Sequence, residues 1–215
     1  MITLLSVNVG KPKKVTFPNG RTFYTGFNKT PTSEPQYLDA PGLIGDGVAD
    51  RRYHGGSDKA VCVYFADHFA FWKSVLGVAL SPGSFGENFS ISGMDETQLH
   101  IGDIYRVGDA ELQCTEPRQP CVKLASALNS STLVKTMRDT GYSGAYFSVL
   151  KPGQVRVGDS MELITADPEQ FSISQVNQLL YHDKSNTASM QKLLAIPGVS
   201  TTLRRYFEGR LEKSL

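Results

Sequence analysis

Short apolar runs separated by turn residues dominate residues 1–165, and this pattern predicts strands. The runs are rich in β-branched or aromatic residues and read ITLLSVNVG, RTFYTGF, AVCVYF, NFSIS, IYRVG, AELQC, AYFSVL and MELI. Gly-Asp pairs in LHIGDIYRVGDAELQC and KPGQVRVGDSMELI predict hairpins. Many short strands with closely spaced turns favour a barrel or sandwich over a doubly wound sheet. We therefore expect a mainly β fold.

Helical periodicity interrupts this β region in two places. ADHFAFWKSVLG spaces Phe69, Trp72 and Leu76 three and four apart and stops at Gly77, a predicted C-cap. CVKLASALNSSTLVKTMRDTG predicts one or two short helices, which would place Cys121 near a helix N-terminus.

The periodicity changes after residue 165, where FSISQVNQLLYH, ASMQKLLAI and TTLRRYFEGRLEK predict three short amphipathic helices. Ser172 and Gln175 form a predicted capping box at the first of them. The sequence therefore predicts a β domain over 1–165 and a small three-helix domain over 166–215. The adjacent Arg204 and Arg205 would suit a DNA-binding helix, but the chain has no basic excess and we predict no nucleic-acid partner.

Composition narrows the class of protein further. The 215 residues are 40% hydrophobic and carry a formal net charge of +1, so no global field attracts nucleic acid or an acidic membrane. No apolar run approaches the roughly 20 residues that span a bilayer. The charges in MITLLSVNVGKPKK follow its apolar stretch, the reverse of a secretory signal. Three cysteines, without a Cys-x-x-Cys pair, support neither a disulfide framework nor a structural zinc site. We expect a cytoplasmic protein.

The segment EPRQPCVKL places Cys121 among prolines and cations. Arg118 and Lys123 supply positive charge, and a thiol reacts or binds metal as the thiolate that cations and a helix N-terminus favour. Pro117 and Pro120 keep the approach extended. The residues alone leave two interpretations open, a reactive thiolate or a core cysteine in a turn. Cys62, among apolar neighbours, is predicted to be a core residue.

A second candidate site is the segment DRRYHGGSDKAVCVY, residues 50–64. Around Gly55 and Gly56 it concentrates six ionisable residues: Asp50, Arg51, Arg52, His54, Asp58 and Lys59. Paired glycines let backbone N–H groups approach an anion, and arginine or lysine then neutralises it. The segment lacks the GK[ST] ending of a Walker loop. We expect an anion site here, with a plain polar turn as the alternative.

A third segment, SFGENFSISG over residues 84–93, offers an acceptor and an amide at the start of a predicted strand. Gly86 permits tight backbone geometry before Glu87 and Asn88. Taken alone, the segment is typical of a turn.

In this order, YHGGSDKAV, FGENFSISG and EPRQPCVKL resemble the motifs of the MOSC domain, named after the C-terminal part of molybdenum cofactor sulfurases. SGAYFSVLKPGQVRVGDSMELI resembles the last hairpin of that domain. The resemblance covers roughly residues 1–165, and the last three helices resemble the extension of the YiiM-like bacterial subgroup. It implies a mainly β barrel related to the pyruvate kinase barrel domain, with inserted short helices and a small C-terminal three-helix domain.

The resemblance also implies a cofactor and a set of residues that would hold it. Cys121 matches the signature cysteine that ligates molybdenum in relatives that reduce N-hydroxylated compounds, where a phosphate-bearing pterin dithiolene carries the metal. The candidates for its anion cradle are Arg51, Lys59, Arg118, Lys123 and the amides of Gly55 and Gly56. The candidates for its amide-like edge are Asp58, Glu87, Asn88 and Gln119. His54 is the candidate proton donor beside Cys121, with a core or turn role as the alternative.

The sequence thus predicts a molybdenum-cofactor oxidoreductase that reduces small N-hydroxylated compounds such as hydroxylaminopurines. No flavin, haem or iron–sulfur motif occurs, so we expect an external electron-donor protein, which could dock on the C-terminal helices. One alternative is a non-catalytic carrier that holds the cofactor or a persulfide on Cys121. Another is a thiol hydrolase or transferase that pairs Cys121 with His54. Paired barrel edges would permit a homodimer, although no motif specifies one.

Overall fold

Strands supply most of the architecture in the computed structural model of the chain, which describes residues 1–50 and 55–213. The strands of these residues are β1 (Thr3–Val9), β2 (Lys13–Thr16), β3 (Thr22–Thr25), β4 (Thr30–Thr32), β5 (Gln36–Asp39), β6 (Gly42–Leu43), β7 (Val61–Phe65), β8 (Phe89–Ser92), β9 (Ile104–Val107), β10 (Ala110–Pro117), β11 (Ala145–Lys151), β12 (Gly153–Val155) and β13 (Met161–Thr165). Each run that predicts a strand contains one. The mainly β fold class is confirmed.

Eight strands form one mixed sheet in the order β13-β9-β10-β11-β7-β8-β1-β4. Neighbouring strands are antiparallel except for the parallel pair β7 and β8. The sheet closes on itself, because Thr3 of β1 bridges to Ser160 next to β13. Backbone hydrogen bonds of 2.9 Å from Leu4 to Asp159 and of 3.0 Å from Met161 to Ile2 complete this seam. Seven strands therefore make a barrel, and β4 extends β1 beyond it.

The helices are α1 (Phe69–Leu76), α2 (Val122–Ala127), α3 (Leu133–Thr140), α4 (Ile173–Tyr181), α5 (Thr187–Ala195) and α6 (Thr201–Glu212), with 3₁₀ turns at Ser57–Lys59 and Ala66–His68. Gly77 ends α1 in the left-handed conformation, as predicted. Ser172 and Gln175 form the predicted capping box of α4. None of the described helices is long and apolar enough to cross a membrane.

One predicted hairpin is present and one is wrong. Gly108-Asp109 joins β9 to β10, and Ala110 pairs with Val107 as expected. KPGQVRVGDSMELI, however, does not fold back on itself: β12 pairs with β5, and β13 pairs with β9. Its Gly-Asp pair turns the chain from a small three-stranded sheet (β12-β5-β6) to the edge of the barrel sheet. The segment that resembles the end of the MOSC domain therefore does not form a hairpin.

The barrel and the C-terminal helices share one hydrophobic core. Its fully buried members include Leu112 and Phe147 of the barrel together with Val176 and Phe207 of the helices. A second cluster surrounds Trp72 beneath α1, α2 and α3. The boundary at 165/166 stays a prediction. Buried side chains on both sides of it belong to the same hydrophobic cluster.

Candidate functional site

A cleft of about 870 Å³ opens beside the barrel and carries most of the predicted site residues. One wall is the connection over residues 39–50, between β5 and the second candidate segment. The lining also includes the Gly55-Gly56 turn and residues that follow β10 and begin α2. The cleft therefore lies where two neighbouring segments, residues 39–50 and the Gly55-Gly56 turn, meet residues near position 120.

The floor of the cleft lies on neighbouring barrel strands. Tyr146 of β11 pairs with Cys62 of β7 on one side and with Glu116 of β10 on the other. Directly paired residues project to the same face of a sheet, so these three side chains form one row. Burial raises the pKa of the Tyr146 hydroxyl well above its usual range and the pKa of the Cys62 thiol to about 11. Both groups are therefore neutral near pH 7.

Lys59 joins this row to the glycine turn. Its Nζ lies 3.2 Å from Oε1 of Glu116 and 5.6 Å from the centre of the Tyr146 ring. Burial raises the pKa of the Glu116 carboxyl, and the nearby ammonium opposes that rise. The cation is thus held at the base of the Gly55-Gly56 turn by a carboxyl group and an aromatic face.

A β-bulge at Thr115 in β10 connects the same turn to the C-terminal helices. The Thr115 hydroxyl lies 2.6 Å from the carbonyl oxygen of Asp58, and its own carbonyl accepts a 3.1 Å hydrogen bond from Ser200. Oδ2 of Asp58 accepts a 2.8 Å hydrogen bond from the backbone N–H of Thr201, the first residue of α6. Asp58 therefore ties the glycine turn to α6 rather than lining the cleft.

Cys121 is the N-cap residue of α2, with extended backbone angles of −131° and 165°. The prediction that it lies at a helix N-terminus is confirmed. Its side chain is half-buried and lines the cleft, whereas Cys62 and Cys114 are buried. Cys121 also packs against the second hydrophobic cluster, so it lies at the border between that cluster and the cleft.

Arg118 carries the strongest signal for a ligand. It follows β10 directly, and its backbone N–H donates a 3.0 Å hydrogen bond to Gly144. Its side chain lines the cleft but is only 5% exposed, and Nη1 has no hydrogen-bond partner among the described residues. Arginine stays charged in proteins, and a buried charge without a partner is costly. An anion in the cleft would remove that cost.

Two further lysines line the cleft. Lys123 is half-buried and forms no ion pair with a described carboxylate. Nζ of Lys29 lies 2.5 Å from Oδ1 of Asp46, in a pair that is almost fully buried. Among the described residues, Lys29, Lys59, Arg118 and Lys123 are the cations of the cleft lining, and Arg118 and Lys123 have no carboxylate partner within the same residues.

Glu87 is fully buried and does not line the cleft. Oε1 accepts hydrogen bonds from the Gly83 N–H at 2.7 Å and the Ser90 hydroxyl at 2.6 Å, and Oε2 accepts one from Phe85 N–H at 2.9 Å. Burial raises the pKa of this carboxyl, and the hydrogen bonds oppose the rise. Glu87 therefore fixes the turn before β8 from the inside.

The wall formed by residues 39–50 was missed by sequence reasoning. Asp46 anchors it, because Oδ1 accepts a 2.8 Å hydrogen bond from Gly10 N–H and Oδ2 accepts one of 2.8 Å from Nδ2 of Asn88. Asn88 in turn accepts a 3.1 Å hydrogen bond from the Cys62 N–H. The segment APGLIGDGVAD has no periodic pattern; its only signal is the spacing of its glycines.

The cleft brings together seven of the predicted site residues: Gly55, Gly56, Lys59, Asn88, Arg118, Cys121 and Lys123. Asp58, Glu87 and Gln119 do not line it, and Gln119 is exposed. Arg51 and His54 lie outside the described residues, so their roles stay predictions, as do the cofactor contacts of the others. Within residues 1–50 and 55–213, no three His, Cys, Asp or Glu side chains are arranged to hold a metal ion.

Comparison with protein families gives two matches. The MOSC domain matches residues 50–162, which span the glycine turn, Cys121 and most of the barrel. A family described as a YiiM-like, 3-alpha helix domain matches residues 172–214.

Three individual proteins extend this similarity. YflK of Bacillus subtilis is 38% identical over 99% of this chain and 96% of its own length. The crystal structure of YiiM from Geobacillus stearothermophilus has a TM-score of 0.85 and 34% identity, covering 98% of this chain and all of that one. A protein named Reductase from Gibberella moniliformis is 32% identical over 82% of this chain, which corresponds to 32% of its length.

Proposed function

The chain belongs to the MOSC domain family, with the YiiM-like three-helix domain at its C-terminus, and on that basis we propose that it reduces N-hydroxylated compounds with a bound molybdenum cofactor. The MOSC family is associated with this cofactor. The similarity to a protein named Reductase supports an oxidoreductase at the family level.

The observation that carries the proposal is the buried Nη1 of Arg118, which has no hydrogen-bond partner among the described residues in a cleft that also holds Lys123. A phosphate-bearing, sulfur-rich cofactor is anionic, so it suits these cations. The half-buried thiol of Cys121 is the soft ligand that molybdenum prefers. The residues present therefore fit the cofactor.

Each part of the cofactor has candidate partners in the cleft. Cys121 would bind the metal, and Arg118 would pair with negative charge beside it. Lys123, together with Lys59 and the Gly55-Gly56 turn, would hold the phosphate. When bound, the cofactor supplies two-electron redox chemistry.

The chain's own residues would orient the substrate and supply protons. The reaction breaks the N–O bond: R–NH–OH takes up two electrons and two protons and gives R–NH₂ and water. The electrons come from an external electron-donor protein, as the sequence predicts. The neutral hydroxyl of Tyr146 can donate a hydrogen bond into the cleft, and His54 is the proton-donor candidate. Arg118 stays positively charged throughout and would stabilise developing negative charge.

The test is to produce the protein in cells that make the cofactor and to measure molybdenum, pterin and turnover with a chemical reductant. Cys121→Ser should lose molybdenum and all N-hydroxyl reduction, whereas Cys62→Ser, at the other cleft thiol, should keep the metal. Arg118→Met should lose pterin, whereas the exposed Arg156→Met should not. Full activity in Cys121→Ser would refute the proposal. Bound cofactor without turnover in the parent protein would favour the carrier function instead.

A further inference from the structure

The wall over residues 39–50 ends in an apolar edge at the mouth of the cleft. Ile44 is 60% exposed and Val48 is 36% exposed, although both line the cleft. Pro41 and Ala49 add apolar surface on the same segment. The segment contains no cation and carries three aspartates that also line the cleft, Asp39, Asp46 and Asp50. Ile44 and Val48 therefore supply exposed apolar surface on an otherwise acidic segment, whereas Lys59, Arg118 and Lys123 lie on other lining segments.

This edge is held rigidly, because its base is fixed at several points. Asp46 binds Lys29, Gly10 and Asn88. A Cβ on Gly26 would lie 2.1 Å from the carbonyl oxygen of Gly47, so only glycine permits this backbone approach.

The other end of the edge is also fixed. Gly42 has a φ of 123°, and a Cβ there would lie 2.7 Å from the Ala60 carbonyl oxygen. Ile44 lies between these anchors and Val48 directly follows Gly47, and both side chains are exposed. Preorganised apolar surface beside a polar reaction centre is a common way to bind the non-reacting part of a substrate.

We propose that Ile44 and Val48 form a specificity edge that binds the apolar, ring-bearing body of the substrate while its N–OH group reaches toward Cys121. This inference rests on the proposed function and assigns two residues to recognition of the substrate's ring. Lys59, Arg118 and Lys123 lie on other segments of the lining and are assigned to the cofactor.

The experiment compares a large substrate with a small one that cannot reach the edge. On the cofactor-loaded enzyme, Ile44→Ser and Val48→Ser should each raise KM for an aryl amidoxime on the order of fivefold, since both sites are partly exposed. KM for N-methylhydroxylamine and the molybdenum and pterin contents should not change. Ile44→Leu should restore the aryl KM. The control is Val78→Ser, at a residue that is 50% exposed outside the cleft.

Calorimetric binding of the aryl amidoxime to the same proteins, without reductant, gives a readout that does not depend on turnover. The dissociation constant should rise with Ile44→Ser as KM does. Equal effects on both substrates, loss of pterin in Ile44→Ser, or unchanged aryl binding would overturn the inference. If Ile44→Ser weakens binding of the aryl compound but the parent protein reduces neither substrate, the proposed function is refuted. The assignment of Ile44 to ligand binding is then still supported.

Discussion

The three cysteines lie in different environments, and this difference is testable without the cofactor. Burial raises the pKa of Cys62 to about 11 and raises that of Cys114 as well. A thiol stays neutral until the pH approaches its pKa. At pH 8, therefore, only about one part in a thousand of the Cys62 thiol is thiolate. Cys121 lines the cleft and is half-buried.

We therefore expect brief iodoacetamide treatment of the native, cofactor-free protein at pH 8 to label Cys121 and to spare the other two thiols. Peptide mass spectrometry checks this, with the urea-unfolded protein as the control that labels all three. Labelling of Cys62 should increase as the pH rises toward 11. Equal native labelling of Cys62 and Cys121 at pH 8 would contradict the environments described.

At the scale of residues, the sequence predicted which side chains meet in the cleft better than the direction in which each carboxylate points. Charge around Cys121 and the glycine pair is visible in the chain, and most of those residues do meet in the cleft. Glu87 and Asp58 were expected to contact a ligand, but each binds backbone N–H groups instead. The local sequence shows that a carboxylate is present, but the direction in which its side chain points depends on packing in the folded chain.

At the scale of elements, the bulge at Thr115 and the N-terminus of α6 hold the glycine turn between them. Asp58→Ala should cost about 1 kcal/mol in the free energy of unfolding, the usual effect of losing a helix cap. It should also weaken cofactor retention, because the Gly55-Gly56 turn would lose its link to α6. Asp58→Asn keeps an acceptor and should largely restore both.

Urea unfolding and pterin content measure the two effects separately. The control is Asp139→Ala, since Asp139 is exposed and pairs with Lys135 on the same helix face, an interaction worth a few tenths of a kcal/mol. If Asp58→Ala lowers stability but leaves pterin content unchanged, the link supports the fold and does not position the turn.

Elements with strong periodicity or clear end signals were predictable from the sequence, as the capping box of α4 and the αL glycine after α1 illustrate. Strand pairing was predictable for the β9–β10 hairpin but not for distant partners. β12 has three residues, and its partner β5 lies over 100 positions earlier, so no local turn signal specifies that contact. The 39–50 wall was not predictable for the same reason, because its position depends on the binding of Asp46 to three distant segments.

At the scale of the whole molecule, the barrel and the C-terminal helices share one hydrophobic core, so the loss of one part affects the other. Arg204 illustrates the packing, since its guanidinium donates hydrogen bonds to the carbonyl oxygens of Leu194 and Ile196. Removing residues 166–215 would expose the barrel side of this core and would remove Thr201 from Asp58. A truncated chain would therefore lose stability and site geometry together, so it cannot isolate a role in donor docking.

A substitution inside the C-terminal helices tests the shared core in the intact chain. Phe207 is fully buried in α6, so Phe207→Ala should cost about 3–5 kcal/mol. Trp72, the single tryptophan, lies in the separate cluster under α1 and reports on the other part of the molecule. If the core is cooperative, Phe207→Ala lowers the urea midpoint of Trp72 fluorescence and of far-UV circular dichroism equally, whereas Glu208→Ala on the exposed face leaves both nearly unchanged. An unchanged Trp72 midpoint beside a shifted dichroism midpoint would mean that the helices unfold independently of the barrel.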